Sequence, residues 1–259
     1  MSQVGLLNDP VADHDCSLTR RLVNSTFIVS LSTSWEPSKL VMTEVRKPAP
    51  VLSEEMLFVD HASRTFIAWG GHSPYHDGSV DDVPWRFTTT ASGNGAWVPD
   101  SPANPNSYFV RRVDRAAAAS GLGAGWYHGG FDTQASDCCG SKCMATPGLV
   151  SYNFETRAWA NVSSAPLTPS GAAVGGTLDF VPGWGAGGGL LVFLGGVPVP
   201  VGAQPCSDYA KSYTGFDNVT LYDPIAGKWY WQVAGGNVPP ARENHCTVGV
   251  AGPSGTYEM

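Results

Sequence analysis

The stretch Leu190-Leu191-Val192-Phe193-Leu194-Gly195-Gly196 decides how this chain folds. It reads as an apolar strand that stops at a glycine pair. The same pattern stands at Thr65-Phe66-Ile67-Ala68-Trp69-Gly70-Gly71 and at Gly125-Trp126-Tyr127-His128-Gly129-Gly130. The pairs recur at roughly 60 to 65 residues, a repeat length that suits a propeller blade with long loops.

Each pair is followed by a variable loop and then a second pattern. After Gly130 come Leu149-Val150-Ser151-Tyr152-Asn153-Phe154 and Trp159. After Gly196 come Val219-Thr220-Leu221-Tyr222-Asp223-Pro224 and Trp229. Tyrosine and tryptophan stand seven apart both times. In the first unit Phe87 takes the tyrosine position and Trp97 the tryptophan position. Upstream, Gly121–Gly125 and Gly183–Gly187 read as hairpins before the second and third apolar runs, and Asp60–Arg64 fills that place in the first. Each unit is therefore expected to be a four-stranded sheet that cannot bury both faces alone. The second strand is expected to bring neighbouring sheets together, so the chain after it must turn with little side-chain volume. Glycine reaches the backbone angles this demands. The tyrosine and tryptophan rings on the third and fourth strands would fill the space between sheets.

Composition agrees with an all-β chain. Among 259 residues, 31 glycines and 20 prolines break helices, while nine tryptophans and nine tyrosines suit strands. The net charge of −7, with 14% charged residues, disfavours nucleic acid and anionic membranes as partners. The densest basic cluster, Arg111, Arg112 and Arg115, is interrupted by Asp114. The uncharged run between Asp179 and Asp208 is long enough to cross a bilayer, but its glycines and prolines make it strand, turn, strand and loop. Asp9, Asp13 and Asp15 fall where the apolar core of a secretory leader would lie.

A glycine pair after an apolar strand, with tyrosine and tryptophan on the next two strands, resembles the kelch repeat. Pro239-Pro240-Ala241-Arg242-Glu243-Asn244-His245-Cys246-Thr247-Val248 resembles the opening of a further kelch unit. Leu31–Trp35 followed by Met56–Asp60 resembles the start of fungal kelch-repeat proteins of the secreted or membrane-anchored kind. The resemblance covers residues 24 to 259. It implies an all-β, incomplete kelch-type β-propeller within residues 21–259, with blades at 54–100, 113–164 and 170–234 and partial-blade strands at 24–38 and 241–259. Residues 1–20 are expected to be a disordered tail. The chain reads as a fragment of a longer protein, whose open blade edges invite self-association. The resemblance also implies an extracellular or cell-surface location, with any membrane anchor in a segment absent from this chain.

Few residues stand out for chemistry. The glycine runs at 121–125 and 183–189 precede strands, so they are hairpins rather than phosphate loops, which need a helix N-terminus. His72, His76, Asp77 and His128 lack a third ligand at fixed spacing, and no metal or cofactor is assigned to them. Cys138, Cys139 and Cys143 crowd one loop and Cys206 lies in the matching loop of the next unit. A disulfide among these is favoured, with Cys143 to Cys206 one pairing among several. Cys246 reads as a buried thiol in a strand and Cys16 as free. Asn24, Asn161 and Asn218 begin glycosylation sequons. Glu54-Glu55 and Asp81-Asp82 are adjacent, so in strands they would face opposite ways, with turn or surface roles. No Gly-x-Ser-x-Gly elbow is present.

These features point to a non-catalytic binding or adhesion module. The loops at 72–82, 131–147 and 197–217 would share one face and contact a protein or glycan. Two alternatives differ in kind. A galactose-oxidase-like copper enzyme fragment needs a metal or a buried ionisable cluster at the propeller axis. An intracellular kelch scaffold would keep its thiols reduced and its sequons unoccupied.

Overall fold

The computed structural model describes residues 2–5, 24–30, 32, 34–73, 82–90, 94–132, 144–164, 171–203 and 212–259. Each apolar run that ends in a glycine pair is the second strand of a four-stranded antiparallel meander. The first sheet comprises Ser53–Asp60, Thr65–His72, Trp85–Thr89 and Gly95–Pro99. The second comprises Ala117–Gly121, Ala124–His128, Leu149–Asn153 and Trp159–Val162. The third comprises Thr177–Pro182, Gly189–Leu194, Asn218–Asp223 and Lys228–Val233. In all three the strands neighbour one another in chain order. The described residues are all-β, and the three sheets are consistent with a kelch-type propeller. No helix among them is long and apolar enough to cross a membrane.

Strand alternation sends successive side chains to opposite faces. Sheet two shows the consequence. Tyr127 packs toward sheet one with Phe58, Trp69 and Trp159. Its neighbour Trp126 packs toward sheet three with Leu178, Leu191 and Tyr222. Both faces of sheet two are thus buried, one against each neighbour. The paired aromatics sit directly opposite each other across the third and fourth strands: Tyr152 beside Trp159, Tyr222 beside Trp229, and Phe87 beside Trp97. Their ring centroids are 4.5, 4.8 and 5.2 Å apart. The seven-residue spacing is the register of that hairpin.

The strand that brings neighbouring sheets together is the first, not the second as the sequence suggested; contacts between adjacent sheets concentrate on their first strands. The glycine pairs have a related reason. A methyl group on Gly70 would lie 2.6 Å from the Val113 carbonyl oxygen, and one on Gly195 would lie 2.7 Å from that of Arg242. On Gly129 it would collide with the Ala173 carbonyl. Each of these carbonyls belongs to the segment that opens the next unit. The second glycine of each pair, Gly71, Gly130 or Gly196, presses instead on the opening segment of its own unit. All six have φ between +62° and +87°. Backbone hydrogen bonds close the seam: Gly130 N–H donates to Ala173 O at 3.0 Å, and Gly196 N–H to Arg242 O at 2.9 Å.

The flanks are less regular. Ser25–Ser30 lies between Ser2–Gly5 and Met42–Arg46 in a three-stranded sheet. Ser2–Gly5 falls inside the segment expected to be a tail, whose remainder lies outside the described residues. In the segment 24–38, a short 3-10 turn at Pro37–Lys39 follows the strand. Ile28 and Ala49 cover Phe66, Phe87 and Trp97 on the outer face of sheet one, and Trp97 Nε1–H donates to Thr26 Oγ1 at 2.9 Å. At the other flank, 241–249 is not a strand; only Val250–Ala251 and Tyr257–Glu258 pair. The segment meets sheet three through Arg242 O and Asn244 N–H rather than through a continuous ladder. Cys246 is accordingly an exposed free thiol, not a buried one.

Candidate functional site

One position recurs where each unit begins. By strand register Glu54, Arg115 and Gly175 lie opposite Gly71, Gly130 and Gly196. Their φ angles are +59°, +52° and +66°, and Asn244, at +52°, continues the series. Gly175 N–H donates to Arg115 O at 2.9 Å, and Asn244 N–H to Gly175 O at 2.8 Å. A left-handed residue at each of these positions kinks the opening strand of its own unit opposite the second glycine of the pair. Glutamate and arginine in this region carry a conformational cost of about 1 kcal/mol or more each.

A charged cluster surrounds these turns. His72 Nδ1 lies 3.2 Å from Asp114 Oδ2, and one ligand atom each from Glu54, His72 and Asp114 falls within 4.8 Å of the others. Arg115 reaches Glu243 at 3.0 Å, 128 residues away in sequence, with its guanidinium over the Phe131 ring. Arg111 lies 3.5 Å from Asp132. Arg112 is buried, with Asp82, Asp132 and Glu55 as nearby carboxylates. The basic triplet thus faces acidic groups of the same chain. Glu55 is not a surface residue; it pairs with the buried Lys47.

Burial and charge shift these groups in opposed directions. Burial raises the Glu54 carboxyl, and the neighbouring Asp114 raises it further. The Asp114 carboxylate beside it raises the His72 imidazole above its ordinary value. Burial raises Glu55, although Lys47 opposes it, and burial lowers Arg112.

His128 belongs to a different environment. It is 2% exposed between sheets two and three, edge-on to Phe193 at 5.6 Å. Its Nε2 has no hydrogen-bond partner, and burial depresses its pKa to about 4. Two buried tyrosines are also committed to structure. Tyr127 donates to Arg111 O at 3.2 Å, and Tyr152 to Asp100 Oδ2 at 2.9 Å. His76, Asp77 and Asp81 lie outside the described residues, as do Cys138, Cys139, Cys143 and Cys206. Among the sequons, Asn161 and Asn218 are exposed. Asn24 is half-buried, and its Nδ2 donates to Lys47 O and Ala49 O. A glycan on that nitrogen would displace at least one of these bonds.

The opposite end of the sheets, where the hairpins lie, carries an exposed apolar patch. Leu122 is 39% exposed, Trp184 50% and Ile225 61%. Leu122 and Ile225 both flank Gly188, as a methyl there would meet Ile225 Cγ1 at 2.8 Å and Leu122 Cδ2 at 3.0 Å. Trp184 stands on the same 183–188 hairpin. Sequence reading passed over this patch because each residue sits in a segment read only as a turn. The signal available was an apolar residue placed at each of three turns.

No protein-family profile matches the chain. It is similar to a kelch repeat-containing protein of Arthroderma benhamiae, with 23% identity over 283 residues. That alignment covers 93% of this chain, and the chain spans about 40% of the relative's length.

Proposed function

We propose that the chain is a non-catalytic binding module that holds a partner protein against its hairpin face. The observation that carries this reading is the patch of Leu122, Ile225 and Trp184. Exposed apolar patches mark interaction sites; Leu122 and Ile225 adjoin at Gly188 and Trp184 is exposed on the same hairpin, and tryptophan is enriched among residues that dominate binding energy. Two aliphatic side chains in the patch favour a protein over a glycan, because sugars require convergent polar groups beside an aromatic platform. Likeness to a kelch repeat-containing protein supports an interaction role in general terms. Display outside the cell is the accompanying proposal, and exposure of Asn161 and Asn218 supports it.

The test uses the purified chain and a Leu122→Glu/Ile225→Glu variant, each immobilised and exposed to extracellular protein and glycan fractions of the source organism. Both changes lie at exposed turns, so the variant should keep the unaltered chain's melting temperature. The expected result is a protein retained by the unaltered chain and lost from the variant. Equal retention by both, or retention of glycan alone, would refute the assignment. For the location, an endoglycosidase-sensitive mass shift on material from the native host is expected. Unoccupied sequons and reduced thiols in that material would favour the intracellular scaffold instead.

A further inference from the structure

We propose that Glu54, His72 and Asp114 bind a divalent transition-series cation such as Zn2+, at the seam between the first and second sheets. The three come from separate segments: the opening of sheet one, the end of its second strand, and the opening of sheet two. The seam that the glycine pair permits is what brings them together. Their ligand atoms lie within 4.8 Å of one another, and the 3.2 Å between His72 Nδ1 and Asp114 Oδ2 is close to the separation of two donors in a tetrahedral zinc shell.

One further observation points to a ligand. Asp114 is 8% exposed, and its second oxygen, Oδ1, is buried and accepts no hydrogen bond. A buried carboxylate with an unsatisfied oxygen is costly, and a coordinated cation removes that cost. Arg115 pairs with Glu243 and Arg112 sits beside Asp82, Asp132 and Glu55, while their charges also reach Glu54 and His72 respectively. One imidazole and two carboxylates suit zinc and its neighbours better than magnesium or calcium, which prefer all-oxygen shells. Three protein ligands leave a coordination position for water or for a group of a partner.

Isothermal titration of chelator-treated, thiol-alkylated protein with Zn2+ tests the site; alkylation removes the cysteines as competing ligands. One Zn2+ per chain is expected, with weaker binding at pH 6 than at pH 7.5 because the cation must displace the His72 proton. Mg2+ should give no saturable heat. Asp114→Asn and His72→Ala should each weaken Zn2+ at least about tenfold, the lower end of what losing even an outer-shell partner costs. Glu54→Gly guards against a folding artefact. Glycine accepts φ +59° without strain, so this variant should melt no lower than the unaltered protein and still bind Zn2+ more weakly. Absence of saturable binding in the micromolar range, or affinity unchanged in all three variants, would overturn the assignment and leave the cluster a histidine–aspartate ion pair.

Discussion

Gly129→Ala should cost this protein far more than glycine-to-alanine changes at its hairpins. Gly129 has φ +67°, where an L-residue pays about 1–2 kcal/mol. A methyl there would also sit 3.0 Å from the Ala173 carbonyl carbon and 3.2 Å from its nitrogen, with the oxygen closer still. Normal carbon–oxygen contact requires the opening segment of sheet three to move away by roughly an ångström, an overpacking cost of about 1–3 kcal/mol. That carbonyl accepts the Gly130 N–H at 3.0 Å, and stretching a buried bond of this kind costs about 1–3 kcal/mol more. The expected loss is about 3–8 kcal/mol, much of a typical domain's stability. Gly123→Ala is the control. Its φ is +71° and nothing lies within 4 Å of the added methyl, so only the conformational cost of about 1–2 kcal/mol applies. Urea unfolding followed by tryptophan fluorescence would compare the two. Should Gly129→Ala fail to fold, Gly195→Ala, with Arg242 O at 2.7 Å, reads the next seam. Equal midpoints for seam and hairpin variants, within about 0.5 kcal/mol, would refute the claim that opening segments pack on these glycines.

The remaining expectations concern buried polar groups. His128 titrates near 4 when folded and near 6.5 when unfolded, so the unfolded chain takes up its proton first. Its contribution is complete above pH 6.5 and declines as pH falls toward 4, by about 3 kcal/mol across that window. His128→Phe should flatten the fall in urea midpoint between pH 7 and 4.5, and an unchanged slope would show that another group is responsible. Tyr152→Phe removes the bond from sheet two to Asp100 of sheet one but leaves the 2.8 Å Arg86–Asp100 pair; a loss of about 1–2 kcal/mol in denaturant unfolding is expected. Asp100→Ala should cost more, about 3 kcal/mol, because it strands the mostly buried Arg86; equal losses would mean that the pair is not coupled to packing. Asp223 accepts backbone N–H groups from Ala186, Ile225 and Ala226, the last being the main cause of its lowered pKa. The stability it contributes is present above its ordinary pKa of 3.8 and lost as pH falls below, so Asp223→Ala should weaken the fold at pH 7 and matter progressively less in acid.

Several features of the fold could be read without coordinates, and the reason is local. Apolar runs, turn glycines and the tyrosine–tryptophan spacing each follow from the geometry of one strand or one hairpin. Phe87 and Trp97 were recognisable as the same pair despite a longer turn, because register places them opposite each other just as it does Tyr152 and Trp159. Reading failed where alternation broke. The pair Glu54-Glu55 was expected in turn or surface roles; Glu54 is exposed at a turn with φ +59°, but Glu55 packs inward on Lys47. Cys246 was placed in a strand on the pattern of its neighbours, yet a strand forms only where a partner supplies hydrogen bonds along its length.

Sequence alone determined that this is an all-β chain of repeated four-stranded units, since burial periodicity and glycine's reach into positive φ are written residue by residue. Which backbone meets each glycine, and which charges gather at the seam, was decided only by the tertiary structure. Asp114 is distant in the chain from Glu54 and His72, as Arg115 is from Glu243, and no short spacing encodes their meeting. It follows from the packing of each opening segment against the glycine pair of the preceding sheet, a contact made between residues that no local rule of strand or turn connects.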